Sequence, residues 1–245
     1  RSLKWEETNS YNIGLDLALF DNRVELIADA YYKKTDNLLM QASLPTYVSG
    51  LIGAPWVNAG AMTNKGVEFT LNTRNILTHD FTWTSGLTFS INRNEVTKLY
   101  SESSAISGIN GNETLTYTMV GEPVGQFYGY KVIGMFKEES DFYKKDADGN
   151  FQLDEAGNRI RIAIPKGQQI SKNGIWVGDY IYEDLHEDGV IDEKDRTFLG
   201  NPAPKFTFGF NNYFAYKGFD LNIFLNGSVG NKAVNLIRRT FTDPM

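Results

Sequence analysis

A run of closely spaced carboxylates from Asp184 to Asp195, DLHEDGVIDEKD, carries the clearest chemistry in this chain. Calcium loops place oxygen ligands at about the first, third, fifth, seventh, ninth and twelfth positions, with glycine sixth for a sharp turn. Gly189 is the sixth residue of this run. The ligand positions fall on Asp184, His186, Asp188, Val190 (through its carbonyl), Asp192 and Asp195. The spacing therefore predicts a calcium site, and calcium is the one candidate cofactor.

Two positions in this run depart from the ideal calcium loop. His186 offers nitrogen where oxygen is wanted, and Asp195 is shorter than the usual bidentate Glu, so both departures weaken a site. The alternative is an acidic exposed turn, in which Asp and Gly serve the local turn geometry. The sequence leaves both interpretations open.

The residue types give little support to catalysis. The chain has no cysteine, which excludes a thiol nucleophile. Neither histidine, His79 or His186, has the neighbouring Ser and Asp pattern of a triad. Carboxylates are plentiful, but no pair is singled out for glycoside hydrolysis. We therefore predict no catalytic residue and a protein that is not an enzyme. The net charge of -6 also argues against nucleic acid as a partner.

The elements that position these residues are strands in which apolar and polar side chains alternate. Phe206 to Val229 reads as two such strands joined by a tight turn at Lys217-Gly218. Strands of about 9–11 residues with one apolar face fit a bilayer crossing, with lipid outside and a wet lumen inside. The same alternation recurs in four earlier stretches: Trp5 to Phe20, Arg23 to Lys33, Gly66 to Asn72, and Phe81 to Asn92.

The connections between these strands alternate in length. Short turns at Asp21-Asn22, Asn75 to Asp80 and Lys217-Gly218 alternate with long stretches at Leu38 to Thr63 and Val96 to Pro204. Short turns on one side and long loops on the other are typical of outer-membrane barrels. We therefore predict an all-β fold: a partial antiparallel transmembrane β-barrel of about six membrane strands. Residues 97–203 would be a long extracellular excursion within it. A secreted soluble β-sandwich that binds glycan or calcium is the alternative.

Three aromatic residues, Tyr47, Trp56 and Tyr117, fall in the predicted outer loops. Aromatic faces in such loops can stack on sugar rings, so these residues are the candidate substrate-binding set. Ordinary packing of the loops is the alternative explanation.

The chain resembles the SusC/RagA family of TonB-dependent outer-membrane transporters of Bacteroidetes. The resemblance rests on an ordered set of short motifs that covers nearly the whole chain. The motifs are Leu3 to Glu6 with Tyr11 to Asp16, Tyr31 to Thr35, Asn64 to Glu68, Asn92 to Val96, Gly121 to Gly125 with Tyr128 to Tyr130, Asp188 to Asp192 with Asp195-Arg196, and Gly200 to Pro202 with Pro204 to Phe206.

This resemblance implies a barrel of about 22 strands with an internal plug, energised through TonB and capped by a SusD-like lipoprotein. It implies import of oligosaccharides, peptides or other large nutrients across the cell outer membrane, with lipid around the barrel. The plug, the TonB-box region and the closing strand are not matched in this chain. We therefore expect residues 1–245 to be part of a single barrel domain, from its middle-to-late portion.

Overall fold

The structure is a computed structural model, and it describes residues 3–41, 56–99, 106–110 and 113–235. Two short 3-10 helices, Glu139–Phe142 and Glu193–Asp195, accompany the strands. No helix in these ranges is long and apolar enough to cross a membrane. The strands are β1 (Glu7–Leu19), β2 (Val24–Gln41), β3 (Trp56–Leu77), β4 (Phe81–Lys98), β5 (Ile106–Asn110), β6 (Glu113–Thr118), β7 (Gln126–Tyr130), β8 (Val132–Met135), β9 (Ile164–Pro165), β10 (Tyr180–Tyr182), β11 (Val190–Ile191), β12 (Arg196–Gly200), β13 (Phe206–Tyr216) and β14 (Phe219–Val229).

The six long strands form one antiparallel sheet in the order β1-β2-β3-β4-β13-β14. This confirms the six strands that the alternation predicts. Their short turns have the chemistry that hairpins require. Lys217 and Gly218 both have positive φ, 44° and 89°, as in the tight turns that match the twist of paired strands. Phe20, Asp21 and Asn22 also have positive φ, and the Arg23 N–H closes their turn on the Phe20 carbonyl at 3.1 Å.

One face of this sheet is apolar across every strand. The cross-strand register aligns one apolar residue from each strand in a continuous row. At the outer strands these side chains are exposed, 37% for Leu17 and 55% for Leu225. A soluble sandwich would bury such a row, so its exposure favours the barrel wall over the sandwich. The row is Leu17, Leu26, Leu71, Leu87, Phe210 and Leu225.

The opposite face of the sheet has a polar row across every strand, although Ile27 and Phe224 also lie on this face. The corresponding row has no apolar side chain, and it sets two carboxylates, Asp29 and Glu68, directly opposite each other. Like charges in that relation repel, and water between them reduces the repulsion, which suits a wet lumen. This row is Gly14, Asp29, Glu68, Ser90, Thr207 and Ser228.

The strands at the long-loop end are longer than predicted. Leu38 to Thr63 reads as a loop, but β2 continues to Gln41 and β3 begins at Trp56. The reason is a bulge in β2, where the register shifts between Thr35 and Leu38 and Asn37 has a φ of 58°. A bulge exchanges the faces of the residues beyond it, so the period-two pattern is lost although strand pairing continues.

The excursion between β4 and β13 contains short elements. The stretch from Gly125 to Phe136 contains β7 and β8, and two tight turns follow it, at Asp146 to Asn150 and at Asp154 to Asn158. Each turn is flanked by an isolated bridge, Lys145 with Phe151 and Leu153 with Arg159. The short strands form a four-stranded sheet, β12-β7-β6-β5, and two pairs, β10 with β8 and β11 with β9.

The chain divides into two compact units. The first comprises residues 1–109, 116–126 and 200–245, and contains the six-stranded sheet. The second comprises residues 110–115 and 127–199. It has a small aromatic core in which the Phe136 and Phe142 rings lie 4.7 Å apart and Trp176 lies 5.6 Å from Phe142. Only Phe136 and Phe142 of these three rings are fully buried, 2% and 3% exposed.

We predict that Leu225→Arg destabilises the full-length protein in a bilayer by about 2–4 kcal/mol, because it sets a charge on the lipid-facing row. Its neighbour on the strand, Asn226, faces the other side of the sheet, opposite Gly209. Asn226→Arg is therefore the matched control, with an expected cost below about 1 kcal/mol. Refolding titrations in lipid vesicles measure the change in unfolding free energy for both variants. Equal changes would contradict the assignment of the apolar face to lipid.

Candidate functional site

The acidic run predicted to hold calcium is organised around Asp195, which is 1% exposed. Its carboxylate accepts hydrogen bonds from three backbone N–H groups: those of Leu185 and His186 on Oδ1 at 2.9 and 3.3 Å, and that of Asp192 on Oδ2 at 2.8 Å. Both oxygens are therefore occupied by the loop backbone. The spacing predicts Asp195 as a metal ligand, and the structure uses it to fix the loop.

These amide donors hold the pKa of the Asp195 carboxyl below its usual range, the Asp192 N–H contributing most. A carboxyl whose pKa is lowered by folding stabilises the fold at every pH above its ordinary pKa. That contribution is lost as pH falls through the lowered pKa, because the protonated carboxyl accepts these hydrogen bonds less well. The loop is therefore fully supported at neutral pH.

The other carboxylates of the run also turn toward nearby backbone amides. Asp184 Oδ2 accepts from the Gly189 N–H at 2.9 Å, Asp188 Oδ1 from Val190 at 3.1 Å, and Asp192 Oδ1 from Lys194 at 2.9 Å. Among the described residues no group of three or more His, Cys, Asp or Glu side chains is arranged to hold a metal ion. The carboxylates therefore build a turn in this structure, and calcium binding would require some of them to reorient.

Two atoms in the run remain relevant to a cation. Asp184 Oδ1 is buried and has no hydrogen-bond partner, which is costly for a carboxylate oxygen. The His186 ring nitrogen Nδ1 lies 3.5 Å from Asp195 Oδ1, so the histidine faces that carboxylate. The first ligand position thus has a buried carboxylate oxygen with unused acceptor capacity.

The three aromatic candidates do not form a group in the structure. Tyr47 lies outside the described residues. Trp56 is the first residue of β3 and is 57% exposed, as a stacking residue must be. Tyr117 lies half-buried in β6, in a different sheet. Their role in substrate binding stays a prediction.

A polar depression on the charged face of the sheet was not predicted from the sequence. It has a volume of about 670 Å³, and Tyr31 is its one aromatic residue, with Lys33 Nζ 5.5 Å from the ring centre. The charges on β2 are visible in the sequence, but their neighbours are set by cross-strand register, which only the fold provides. The depression is lined by Ser10, Asn12, Asp29, Tyr31, Lys33, Asn64, Glu68 and Asn92.

This depression combines neutral hydrogen-bonding groups with charges of both signs. Such a surface can donate to and accept from the hydroxyls of a sugar or the amides of a peptide. Gly14 leaves space for the Asp29 carboxylate that lines it, because a Cβ at that position would lie 2.6 Å from Asp29 Oδ1. The depression therefore presents a polar, hydrogen-bonding surface on one face of the sheet.

We predict that Asp195→Asn loosens the acidic loop. An amide presents one acceptor oxygen and no charge, so backbone N–H groups now bound to the carboxylate lose their partner. Hydrogen exchange at Leu185, His186 and Asp192 should accelerate by about tenfold or more at neutral pH. Asp188→Asn is the control, since the one N–H that Asp188 accepts among the described residues is that of Val190. Unchanged exchange at the three amides would contradict the role of Asp195.

Comparison with known proteins agrees with this architecture. Residues 1–240 match the family model described as TonB dependent receptor-like, beta-barrel. TonB-dependent receptor P3 of Formosa agariphila is 37% identical over 238 residues, which are 96% of this chain and 21% of that protein. TonB-dependent receptor SusC of Bacteroides thetaiotaomicron is 28% identical, over 94% of this chain and 20% of its own length.

Solved structures show the same fold. The RagAB peptide transporter superposes with a TM-score of 0.63 at 23% identity, covering 92% of this chain and 21% of that one. The RagAB peptide importer in an open-open state gives a TM-score of 0.65 at 22% identity, covering 94% of this chain and 21% of that one. The chain thus spans about a fifth of the length of the curated relatives it matches. The match over residues 1–240 and the identity to these relatives show that the chain belongs to the TonB-dependent receptor-like β-barrel family, as its resemblance to SusC/RagA proteins predicts.

Proposed function

We propose that this chain is one part of the barrel wall of an outer-membrane transporter that imports oligosaccharides, peptides or other large nutrients. The observation that carries the proposal is the two-faced sheet, with an apolar row across all six strands on one side and a polar row on the other. A wall between lipid and a wet passage needs this division. Membership of a family of outer-membrane transporters supports placement of this chain in the outer membrane.

The proposed partners follow from the family. A SusD-like surface lipoprotein would cap the passage, and the TonB complex would act through regions outside this chain. The related RagAB is named a peptide transporter, and SusC is a further relative, so peptides and oligosaccharides are both retained as substrate classes. Residues 97–203, on the long-loop side, would face the cell exterior and the lipoprotein.

The decisive experiment is nutrient uptake by cells that carry or lack the full-length gene. We expect cells without it to lose growth on a large nutrient, with wild-type growth on the corresponding monomers, because small solutes cross by other routes. We also expect the full-length protein to co-purify with a surface lipoprotein. Normal uptake of every oligosaccharide and peptide tested in the deleted strain would contradict the transporter proposal.

The polar wall gives a sharper prediction for the same uptake measurement. Glu68 and Phe69 are neighbours in β3 and lie on opposite faces of the sheet. Glu68→Trp sets a bulky ring in the passage, and we expect it to lower uptake severalfold. Phe69→Trp, on the lipid-facing side, is the matched control and should leave uptake near that of the wild type. The reverse order of effects would contradict the assignment of the two faces.

A weak structural calcium site in the acidic run is a second proposal, and the unpartnered oxygen of Asp184 supports it. A divalent cation would complete the acceptor capacity of that carboxylate and reduce repulsion among its neighbours. Because Asp195 is committed to backbone amides, fewer ligands are available than the spacing alone suggests. We therefore expect binding at the weak end of the range for extracellular modules, about 10⁻³ M.

Calorimetric titration of calcium into the full-length protein tests this proposal. We expect Asp184→Asn to abolish a weak binding event that Asp148→Asn leaves intact. Asp148 is the matched control because it is an exposed carboxylate in a separate turn. An absence of binding at millimolar calcium, or equal binding in both variants, would contradict the calcium proposal and favour the alternative of an acidic turn.

A further inference from the structure

The apolar face of the six-stranded sheet ends, toward the long connections, in two exposed cations. On β4 the last apolar residue of this face is Ile91, and Arg93 is the next side chain on the same side. On β3, Lys65 lies beyond Val67 in the same way. The register between β3 and β4 has no bulge between Leu71 and Lys65, so the period of two places both cations on the apolar face.

The two cations belong to a row that crosses four strands. Tyr32 on β2 lies opposite Lys65, and Tyr11 on β1 lies opposite Tyr32. All four residues are exposed, 69% for Tyr11 and 40% for Tyr32. The adjacent row, on the side of the apolar band, has no polar member: Ile13, Ala30, Val67 and Ile91. We call the outer row the tyrosine–cation row; it consists of Tyr11, Tyr32, Lys65 and Arg93.

The distance along the strand places this row at the edge of a band tall enough to span a bilayer. From Phe81 to Ile91, β4 rises about 33 Å along its own axis, at ~3.3 Å per residue. At a strand tilt of ~40° this is about 25 Å along the membrane normal, which is the height of the apolar band of outer-membrane barrels. The tyrosine–cation row therefore lies at the level of lipid headgroups, where tyrosines form interfacial girdles. It lies on the long-loop side, because Tyr32 precedes and Lys65 follows the long connection between β2 and β3.

The charges of the two cations are not compensated by a described residue. Lys65 and Arg93 lie directly opposite each other, a relation in which like charges repel. Neither forms an ion pair with a described residue. Arg93 Nη1 donates to the carbonyl oxygens of Asn92 and Lys205 at 2.9 and 2.8 Å, which orient the guanidinium without neutralising it. One anion bound at this point would relieve the repulsion.

The order of charges along the strands indicates which anion fits. The next row outward is Asn9, Lys34, Thr63 and Glu95. Lys34 is paired with Asp36 at 2.9 Å, and Glu95 lies about 6.7 Å farther from the apolar band than Arg93. The unpaired cations therefore lie between the apolar band and the first carboxylate of this face in β1 to β4. An anionic headgroup with acyl chains complements both neighbours, whereas a soluble anion gains nothing from the apolar band.

We propose that the tyrosine–cation row binds the phosphate of an anionic lipid in the leaflet on the long-loop side. Lys65 and Arg93 donate charge-assisted hydrogen bonds to the phosphate oxygens, and the acyl chains lie on the adjacent apolar row. The site rests on the proposed function, because it takes the apolar face to be in contact with lipid. It assigns a ligand to the side of the wall that faces away from the passage.

The test is photocrosslinking of the full-length protein in vesicles of phosphatidylcholine that contain a minor fraction of phosphatidylglycerol with the same acyl chains. The photoreactive residue p-benzoylphenylalanine replaces Val67, which is 45% exposed and adjoins the tyrosine–cation row on β3. Mass spectrometry of the adducts measures the fraction of crosslinked lipid that is phosphatidylglycerol. We expect the two cations to enrich this lipid about tenfold or more over the bulk mixture.

Charge variants of the photoreactive protein locate the site. Lys65→Gln removes one cation and should lower the enrichment by about fivefold, the factor for one Lys or Arg near an anionic surface. Lys65→Arg keeps the charge and should keep the enrichment. Lys33→Gln is the matched control, because Lys33 is an exposed lysine on the neighbouring strand that faces the polar side, opposite Asn64. It should leave the enrichment unchanged.

The outcomes separate this site from the transporter proposal. Adducts with the bulk lipid composition, or equal enrichment with and without the Lys65 charge, would overturn the phosphate site and leave the lipid-facing wall standing. An absence of any lipid adduct at Val67 would remove the apolar face from lipid and overturn both. The measurement in vesicles does not depend on transport, so a failure of the uptake experiment alone would leave the lipid site standing.

Discussion

The structure depends on the pairing of backbone N–H and C=O groups across six strands in a fixed register. In a bilayer no water is available to these groups, so each must find its partner in a neighbouring strand. The same register decides which side chains share a face. A shift of one residue would carry Leu26 and Leu71 to the side that holds Asp29 and Glu68. The division of the sheet into an apolar and a polar face therefore follows from one set of hydrogen bonds.

The second unit is stabilised differently from the sheet, by a small aromatic core and by carboxylates that close its turns. Its fully buried large side chains include Phe136 and Asp195. Three of its turns are closed by aspartates that accept several backbone N–H groups: Asp146, Asp154 and Asp195. Backbone donors lower the pKa of all three carboxyls, so their support persists above the ordinary carboxyl pKa and weakens only in acid. Hydrogen bonds to these carboxylates thus add to the support that the aromatic core provides.

Motifs that mark the family in the sequence have structural roles at the rim of the sheet. Val96, in the motif Asn92 to Val96, exchanges backbone hydrogen bonds with the turn at Gly121 and Glu122, at 2.8 and 3.0 Å. Asn94 Oδ1 accepts from the Val124 N–H at 2.8 Å. The two motifs, distant in sequence, are therefore in contact and fix where the excursion leaves β4. Residues that carry the family resemblance thus contribute to packing in this structure.

The sequence by itself determined the six strands, their apolar faces and the short turns, because period-two alternation and residues such as Gly218 act locally. It also determined the family, through motifs spread along the chain. Only the tertiary structure decided which residues lie opposite each other on neighbouring strands and which loops close around a side chain. The bulge at Asn37 breaks the alternation while pairing continues, so the ends of β2 and β3 could not be read from the sequence. The polar depression joins residues from four strands, and the commitment of Asp195 to three amides depends on a loop closed around it. Both result from contacts between residues that local pattern does not connect.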